Sequence, residues 1–401
     1  MLSLAFAVVL MPSPAGVLLV DDPHPYFKVA LLLSDLPLAV LVALSVPDAI
    51  ARLRTRRFGA IGALTVALVS LVAAAFLVNP SPQGAQTLFR VIAGLSVALT
   101  LHALRLDRER RFVLVALAMT AIVQMLLAVA QLARGDALVA YEHPPLFEVG
   151  PYIRPGGTLA NGFVLAGLAL VASSALAGRA LSSRRTLAWT AAAALAVVPV
   201  GITFSRAAAL GIALGAAVLV PGALRSRAQA LVLASLVLAA GVPALLVADG
   251  WIVRGTEHST AASADARYVL AVQTIPLIRR EPLLGVGPGR TMASLRDLER
   301  DVPGSILSEQ YLEPPHNLPL VIALEAGIPA GLVSVALIGL AALRALRRGA
   351  AAQLAFTGLL PFVALDHYLW TTPTGLMLLA LWAWLVIGEG AGDLAAGRSA
   401  P

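Results

Sequence analysis

The residues able to do chemistry in this chain are few, and most fall in short stretches. Pro314-Pro315-His316-Asn317-Leu318 holds a histidine behind two stiff prolines. An imidazole with an ordinary pKa of about 6.5 suits general-base work at neutral pH. The simpler role for its neighbours is a helix start, with Asn317 as cap and Pro319 in the first turn. Arg154 to Asn161, spelled Arg-Pro-Gly-Gly-Thr-Leu-Ala-Asn, brings a guanidinium and an amide to the start of an apolar run. Thr203-Phe204-Ser205-Arg206 sets a second arginine in a tight turn between two apolar runs. An arginine so near hydrocarbon costs on the order of 3 kcal/mol unless it is paired or reaches the interface.

Two further stretches complete the set. Pro282-Leu-Leu-Gly285-Val-Gly287-Pro-Gly289-Arg290 combines glycines, which let backbone approach a ligand closely, with a guanidinium fork that suits phosphate. No strand precedes it, so a dinucleotide fold is a poor explanation, and a plain turn between two surface helices fits equally well. Asp366-His367-Tyr368-Leu369-Trp370-Thr371 closes another apolar run. An interfacial aromatic belt accounts for Tyr368 and Trp370 but not for Asp366 beside His367. Arg267 is a further candidate, with Asp265 available as a surface ion-pair partner. No His/Asp/Glu cluster has metal-ligand spacing, and no Gly-x-Ser-x-Gly elbow or Ser-x-x-Lys pair offers a serine nucleophile. The absence of cysteine removes disulfides, thiolate metal sites and thiol nucleophiles together.

The elements that must position these residues are apolar. Of the 401 residues 59% are hydrophobic and 13% charged, with a mean hydropathy of +0.86. A membrane span needs roughly 20 apolar residues. Runs at about 2–20, 27–47, 58–78, 87–104, 112–132, 157–177, 186–203, 207–221, 228–248, 317–343, 350–366 and 372–388 predict about twelve transmembrane helices. The fold class is an all-α polytopic membrane protein. A soluble nucleic-acid binder, a disordered chain and a secreted disulfide scaffold are excluded. The net charge of +7 reflects arginines in loops rather than a nucleic-acid partner. Residues 1–20 lack a basic leading region and are read as the first span rather than a signal peptide.

Charge sorts the loops into two sets. Short connections carry arginine clusters, among them Arg52 to Arg57, Arg105 to Arg111, Arg179 to Arg185, Arg225 with Arg227, and Arg344 to Arg348. The positive-inside rule places these in the cytoplasm, and both termini with them. Five of the six histidines, His24, His143, His258, His316 and His367, then fall on the outer side, with His102 alone near the inner one. The chain divides into residues 1–248 with nine spans, an outer loop at 249–316, and residues 317–401 with three spans and a tail. The outer loop carries seven arginines and nine acids. Within it, Asp265–Arg280 and Thr291–Arg300 read as helices lying at the membrane surface.

In this order, Arg154–Asn161, Thr203–Arg206, Pro282–Gly289, His316-Asn317 and Asp366–Thr371 resemble the O-antigen ligase and polymerase superfamily. The resemblance runs over residues 60–390. It implies a glycosyltransferase of the GT-C type in the bacterial inner membrane, with its active site on the periplasmic face. The implied donor is an undecaprenyl-diphosphate-linked glycan. The acceptor is lipid A–core for a ligase, or a lipid-linked repeat unit for a polymerase. The implied reaction is inverting and free of metal or other cofactor. Carried over, His316 is the general base and Arg154, Arg206 and Arg267 grip the donor diphosphate. Arg290 stands in a more variable position, and Asn161, Asn317, Asp366 and His367 support the site. The outer loop is compact for this superfamily, which keeps polymerase-type transfer open beside the ligase reading. A flippase or transporter for lipid-linked sugars is a third reading, disfavoured because mid-span polar residues are few: Asp35, Gln124 and Glu325.

Overall fold

A computed structural model describes residues 2–10, 16–20, 29–54, 59–104, 107–136, 148–159, 161–256, 260–302 and 313–387. The chain opens with α1 (Leu2–Leu10), β1 (Gly16–Val20), β2 (Val29–Leu32) and α2 (Asp35–Arg54), the two strands pairing antiparallel. The bundle follows as α3 (Ala60–Val78), α4 (Pro82–Ala103) and α5 (Asp107–Arg134). A short hairpin, β3 (Glu148–Val149) and β4 (Tyr152–Ile153), leads to α6 (Gly162–Ser182), α7 (Thr186–Ile202), α8 (Arg206–Ala223) and α9 (Arg227–Leu246). Next come α10 (Ala248–Thr256), α11 (Thr260–Val272), α12 (Ile275–Arg280) and α13 (Thr291–Asp301). The chain closes with α14 (Leu318–Arg348), α15 (Ala350–Leu365), α16 (Tyr368–Thr371) and α17 (Pro373–Ile387).

Among the described residues, seven helices are long and apolar enough to cross a membrane, and shorter apolar helices occur at Asp35–Ser45, Thr186–Ile202, Ala350–Leu365 and Pro373–Ile387. Each predicted span but the first two coincides with one of these; the run at 27–47 contains β2, and its helix begins only at Asp35. The run at 2–20 is not one helix: a nine-residue helix is followed by a strand. Pro12, Pro14 and Gly16 break the apolar pattern that suggested continuity. The predicted Asp265–Arg280 helix is two, α11 and α12, separated at Gln273-Thr274, because Pro276 sits at the start of the second and begins a new first turn. Helix α13 matches the predicted Thr291–Arg300 closely. Helix α10, not expected, extends the chain beyond α9.

Helix α6 is the hub. Of its apolar window 89% is buried within the protein, against 11% for α3. Its small residues make this possible. Gly167 admits the Tyr368 ring and Gly178 admits Ala351. It packs against α5, α7, α15 and α17, so whatever α6 carries at its N-terminus is rigidly placed. Helix α14 is broken at Gly327, whose φ is 87°, and Pro329 follows. No side chain fits there, since an added Cβ would meet the Leu283 carbonyl. The kink bends the helix round the loop that precedes α13.

Candidate functional site at the start of α6

Arg154 enters the site through a turn clamped by α5. The Gln131 carboxamide accepts from the Gly156 and Gly157 amides at 3.1 and 2.8 Å and donates to the Gly157 carbonyl at 2.7 Å. Gln124, two turns earlier, accepts from the Thr158 amide at 2.8 Å and donates to its hydroxyl at 2.9 Å. Asn161 then caps α6, accepting from the Phe163 and Val164 amides at 3.0 Å. Gly162 lacks the Cβ that would collide with the Pro155 carbonyl and the Arg154 stem. The Arg154 guanidinium therefore lies 3.4 Å over the Phe163 ring and donates from Nε to the Thr203 carbonyl at 2.7 Å. Its Nη2 is buried without a hydrogen-bond partner among the described residues. Burial, followed by the charge of Arg254, lowers its pKa to about 9, so it remains a cation at neutral pH.

The Thr203–Arg206 turn is held by aromatics. Phe204 is fully buried at a φ of 53°, a left-handed conformation that costs a phenylalanine on the order of 1–3 kcal/mol. Tyr152 and Trp251 surround its ring at 6.0 and 5.6 Å, and Gly250 leaves room for it. Trp251 also donates to the Gly201 carbonyl at 2.8 Å, and Tyr152 to Asp249 at 2.9 Å. This packing fixes α10 against the turn. Arg254 on α10 consequently lies within electrostatic reach of Arg154, Arg206 and Arg267. Its pKa is lowered by burial first and then by Arg206 and Arg267.

The other wall comes from the start of α14 and the end of α15. Asn317 caps α14 through the Leu320 amide at 3.0 Å and donates to the Ala364 carbonyl at 3.1 Å. Arg267 donates to the adjacent Leu365 carbonyl at 3.2 Å, where the negative end of α15 favours a cation. Asp366 is buried, and its Oδ1 accepts the His367 amide at 2.8 Å. Burial raises its pKa to about 7 even though Arg267 and Arg154 pull it down. His316 and His367 meet edge to face with ring centres 4.8 Å apart. His316 is brought to a pKa of about 4 by burial and then by Arg267, opposed by the Pro314 carbonyl. It is therefore neutral at pH 7. His367 is lowered well below its usual value by burial and by His316.

Tyr368 and Trp370 do not form an interfacial belt. They are 2% and 3% exposed, and their polar atoms are used internally. Tyr368 donates to the Phe163 carbonyl at 2.8 Å, and Trp370 to Glu325 at 2.9 Å. Glu325 also accepts from the Thr291 hydroxyl at 2.9 Å. The glycine stretch packs on protein: the Val286 and Gly287 amides donate to the Leu324 and Glu325 carbonyls at 2.9 and 3.1 Å. Gly285, Gly287 and Gly289 all have positive φ, and added side chains would strike α14, Asn79 and Gln83. The stretch is thus a bracket between α4, α13 and the kink of α14. Arg290 flanks it at the N-cap of α13, outside the electrostatic couplings that join Arg154, Arg206, Arg254 and Arg267.

The structure thus brings together Arg154, Arg206, Arg267, His316, Asp366 and His367, with Asn161 and Asn317 as caps beneath them. Sequence reading missed Arg254, hidden among the other arginines of the outer loop, and the two glutamines of α5, whose spacing of two helical turns was the available signal. It also missed that Glu313, His316 and His367 lie together. His24, His143 and His258 lie outside the described residues.

A helical multi-pass membrane protein, with cations and imidazoles gathered at one end of the bundle, is the class that these features define. Residues 191–335 match the family described as O-antigen ligase, which bears out the resemblance to the O-antigen ligase and polymerase superfamily. The matched segment contains Arg206, Arg254, Arg267, Arg290, His316 and Asn317, and it ends before Asp366. No curated protein matches the chain.

Proposed function

We propose that this protein is an inner-membrane glycosyltransferase of O-antigen ligase type. It moves a glycan from undecaprenyl diphosphate to a hydroxyl of lipid A–core at the periplasmic face, with both termini cytoplasmic. The observation that carries the reading is a cluster of guanidiniums beside a histidine. Arg154, Arg206, Arg254 and Arg267 lie within electrostatic reach of one another, and the buried Asp366 lies within reach of Arg154 and Arg267. A diphosphate leaving group is the kind of anion that such a cluster suits. Preorganised donors stabilise that charge as it grows in the transition state, with no metal required. His316 accepts the proton of the attacking hydroxyl, and direct displacement inverts the anomeric centre.

The test is glycan transfer by purified protein from an undecaprenyl-diphosphate donor in EDTA. Lipid A–core and lipid-linked repeat units are supplied in separate reactions, and product configuration is read by NMR. Transfer to lipid A–core with inverted configuration is expected. Transfer only to lipid-linked repeats would make the protein a polymerase, the reading that the compact 249–316 loop keeps open. Loss of activity in EDTA would sink the metal-free mechanism, and transbilayer movement of the donor without transfer would establish a transporter.

A further inference from the structure

The chain brings three metal-binding side chains to one point from two separate segments. Glu313 and His316 stand before α14, and His367 stands before α16. One ligand atom from each lies within 4.8 Å of the others. The Glu313 carboxylate is 3.7 Å from His316 Nε2. Nδ1 of the same ring is buried and meets no hydrogen-bond partner among the described residues. The Thr371 hydroxyl engages His367 Nδ1 at 2.9 Å. A hydrogen bond on one ring nitrogen fixes the orientation of a ligating histidine and assigns the other nitrogen, here Nε2, to the ion.

Donor chemistry selects the ion. Two imidazoles and one carboxylate suit zinc and its neighbours rather than magnesium or calcium, which prefer all-oxygen shells. Tetrahedral zinc holds its ligand atoms at about 2.0–2.2 Å and therefore roughly 3.4 Å from one another. The ligand atoms, up to 4.8 Å apart, must therefore draw about 1.4 Å closer for one ion to hold all three. Charges on the neighbouring elements act in both directions. Arg267 and Arg154 oppose a cation, whereas the buried Asp366 beside His367 favours it.

We propose that Glu313, His316 and His367 form an inhibitory zinc-class site. Occupancy ties up the His316 lone pair that must accept the acceptor's proton, so transfer stops while the ion is bound. The inhibitory consequence rests on the transferase reading, but the binding itself does not.

The experiment uses the full-length protein in detergent, stripped with EDTA and titrated with Co²⁺ alone. Visible absorption reports tetrahedral coordination, and Zn²⁺ competition follows. One equivalent per chain is expected, with Zn²⁺ displacing the cobalt spectrum. Glu313→Gln and His367→Ala each lower affinity by at least about tenfold, the lower end of what loss of a mere supporting residue costs. Glu313 is half-buried, so its variant keeps the test valid if His367→Ala fails to fold. Absence of a stoichiometric cobalt spectrum, or affinity unchanged in Glu313→Gln, overturns the site. In the transfer assay, Zn²⁺ should inhibit in proportion to occupancy and EDTA should restore turnover. Binding without inhibition would retain the site and remove its regulatory role. An enzyme inactive under all conditions, yet showing the cobalt spectrum, would fault the transferase reading and not the site.

Discussion

The two ends of α6 treat arginine in opposite ways. At its C-terminal end Arg179 meets Asp107 at 2.8 Å, and Asp107 also takes Arg111 at 2.7 Å. There one carboxylate serves two guanidiniums, and both Asp107 and Arg111 are largely exposed to solvent. At the N-terminal end Arg154 is 4% exposed and donates to a backbone carbonyl, while one of its nitrogens has no partner among the described residues. Arg206, Arg254 and Arg267 lie within electrostatic reach of one another there, beside the buried Asp366. Both ends are rich in arginine, but the N-terminal end buries a guanidinium against backbone and an aromatic ring, where the C-terminal end pairs its arginines with a half-exposed carboxylate. Arginine clusters at a membrane surface are ambiguous in sequence, since topology and ligand binding both call for them. Burial and partner type resolve the ambiguity.

The sharpest break in this comparison removes the base at the ligand-binding end. His316→Ala should lower kcat by about 10²–10⁴-fold, the usual contribution of a positioned acid or base. Donor binding, read by equilibrium binding of the lipid diphosphate, should change little, because the guanidiniums stay in place. Near-normal turnover in the variant would remove His316 from the chemistry.

Arg154 is next. A charge-assisted hydrogen bond contributes about 1.5–3 kcal/mol, so Arg154→Ala should raise the donor KM by roughly 10–100-fold. The substitution also leaves the Thr203 carbonyl without its donor, and some thermal stability is lost with it. Arg154→Lys separates the two effects, since it keeps the charge and loses the fork. Equal losses of KM and stability in both variants would mean that Arg154 only props up the turn.

The pH profile sharpens the electrostatics. In EDTA, the kcat/KM limb belonging to His316 should fall at about 4 rather than 6.5, since burial and Arg267 both disfavour the imidazolium. Arg267→Ala removes part of that cause, so the limb should move upward. The associated stability runs the same way. A histidine depressed in the folded state contributes stability above 6.5 that is lost as pH falls through about 4. A second ionisation near 7, absent from Asp366→Asn, would belong to Asp366. A wild-type His316 limb at 6.5 would contradict the burial argument.

How much of this was legible in the residues follows from range. Apolar runs are local, so the spans after the second were readable, and the first two failed because β1 and β2 are as apolar as a helix over those short stretches. Caps are local too, which is why Asn317 was read as one, whereas Asn161 entered only through the motif it ends. The grouping of Arg154, Arg206 and Arg267 was drawn from the order of motifs and is bridged in space by hydrogen bonds to the Thr203 and Leu365 carbonyls. Backbone acceptors leave no mark in composition. Arg254 was invisible because its place depends on Phe204, Tyr152 and Trp251 packing α10 down. The Glu313–His316–His367 group failed the spacing test because its third member lies on another segment. The glycine stretch was ambiguous, since the same positive φ that suits a ligand suits the kink of α14.

The smallest effect is expected at the opposite end of α6, and it makes the comparison quantitative. Exposed ion pairs contribute about 0–1 kcal/mol. Asp107→Asn should therefore shift unfolding stability by no more than that, although it releases two arginines at once. Donor KM should stay within about twofold of wild type, because Arg179 and Arg111 stand at the far end of α6 from Arg154. The variant removes the carboxylate that these arginines share, so any new affinity for lipid diphosphate there would show that cationic charge alone suffices. Unchanged affinity would show that the burial of Arg154, with its clamped turn and stacked Phe163, is what turns an arginine cluster into a site.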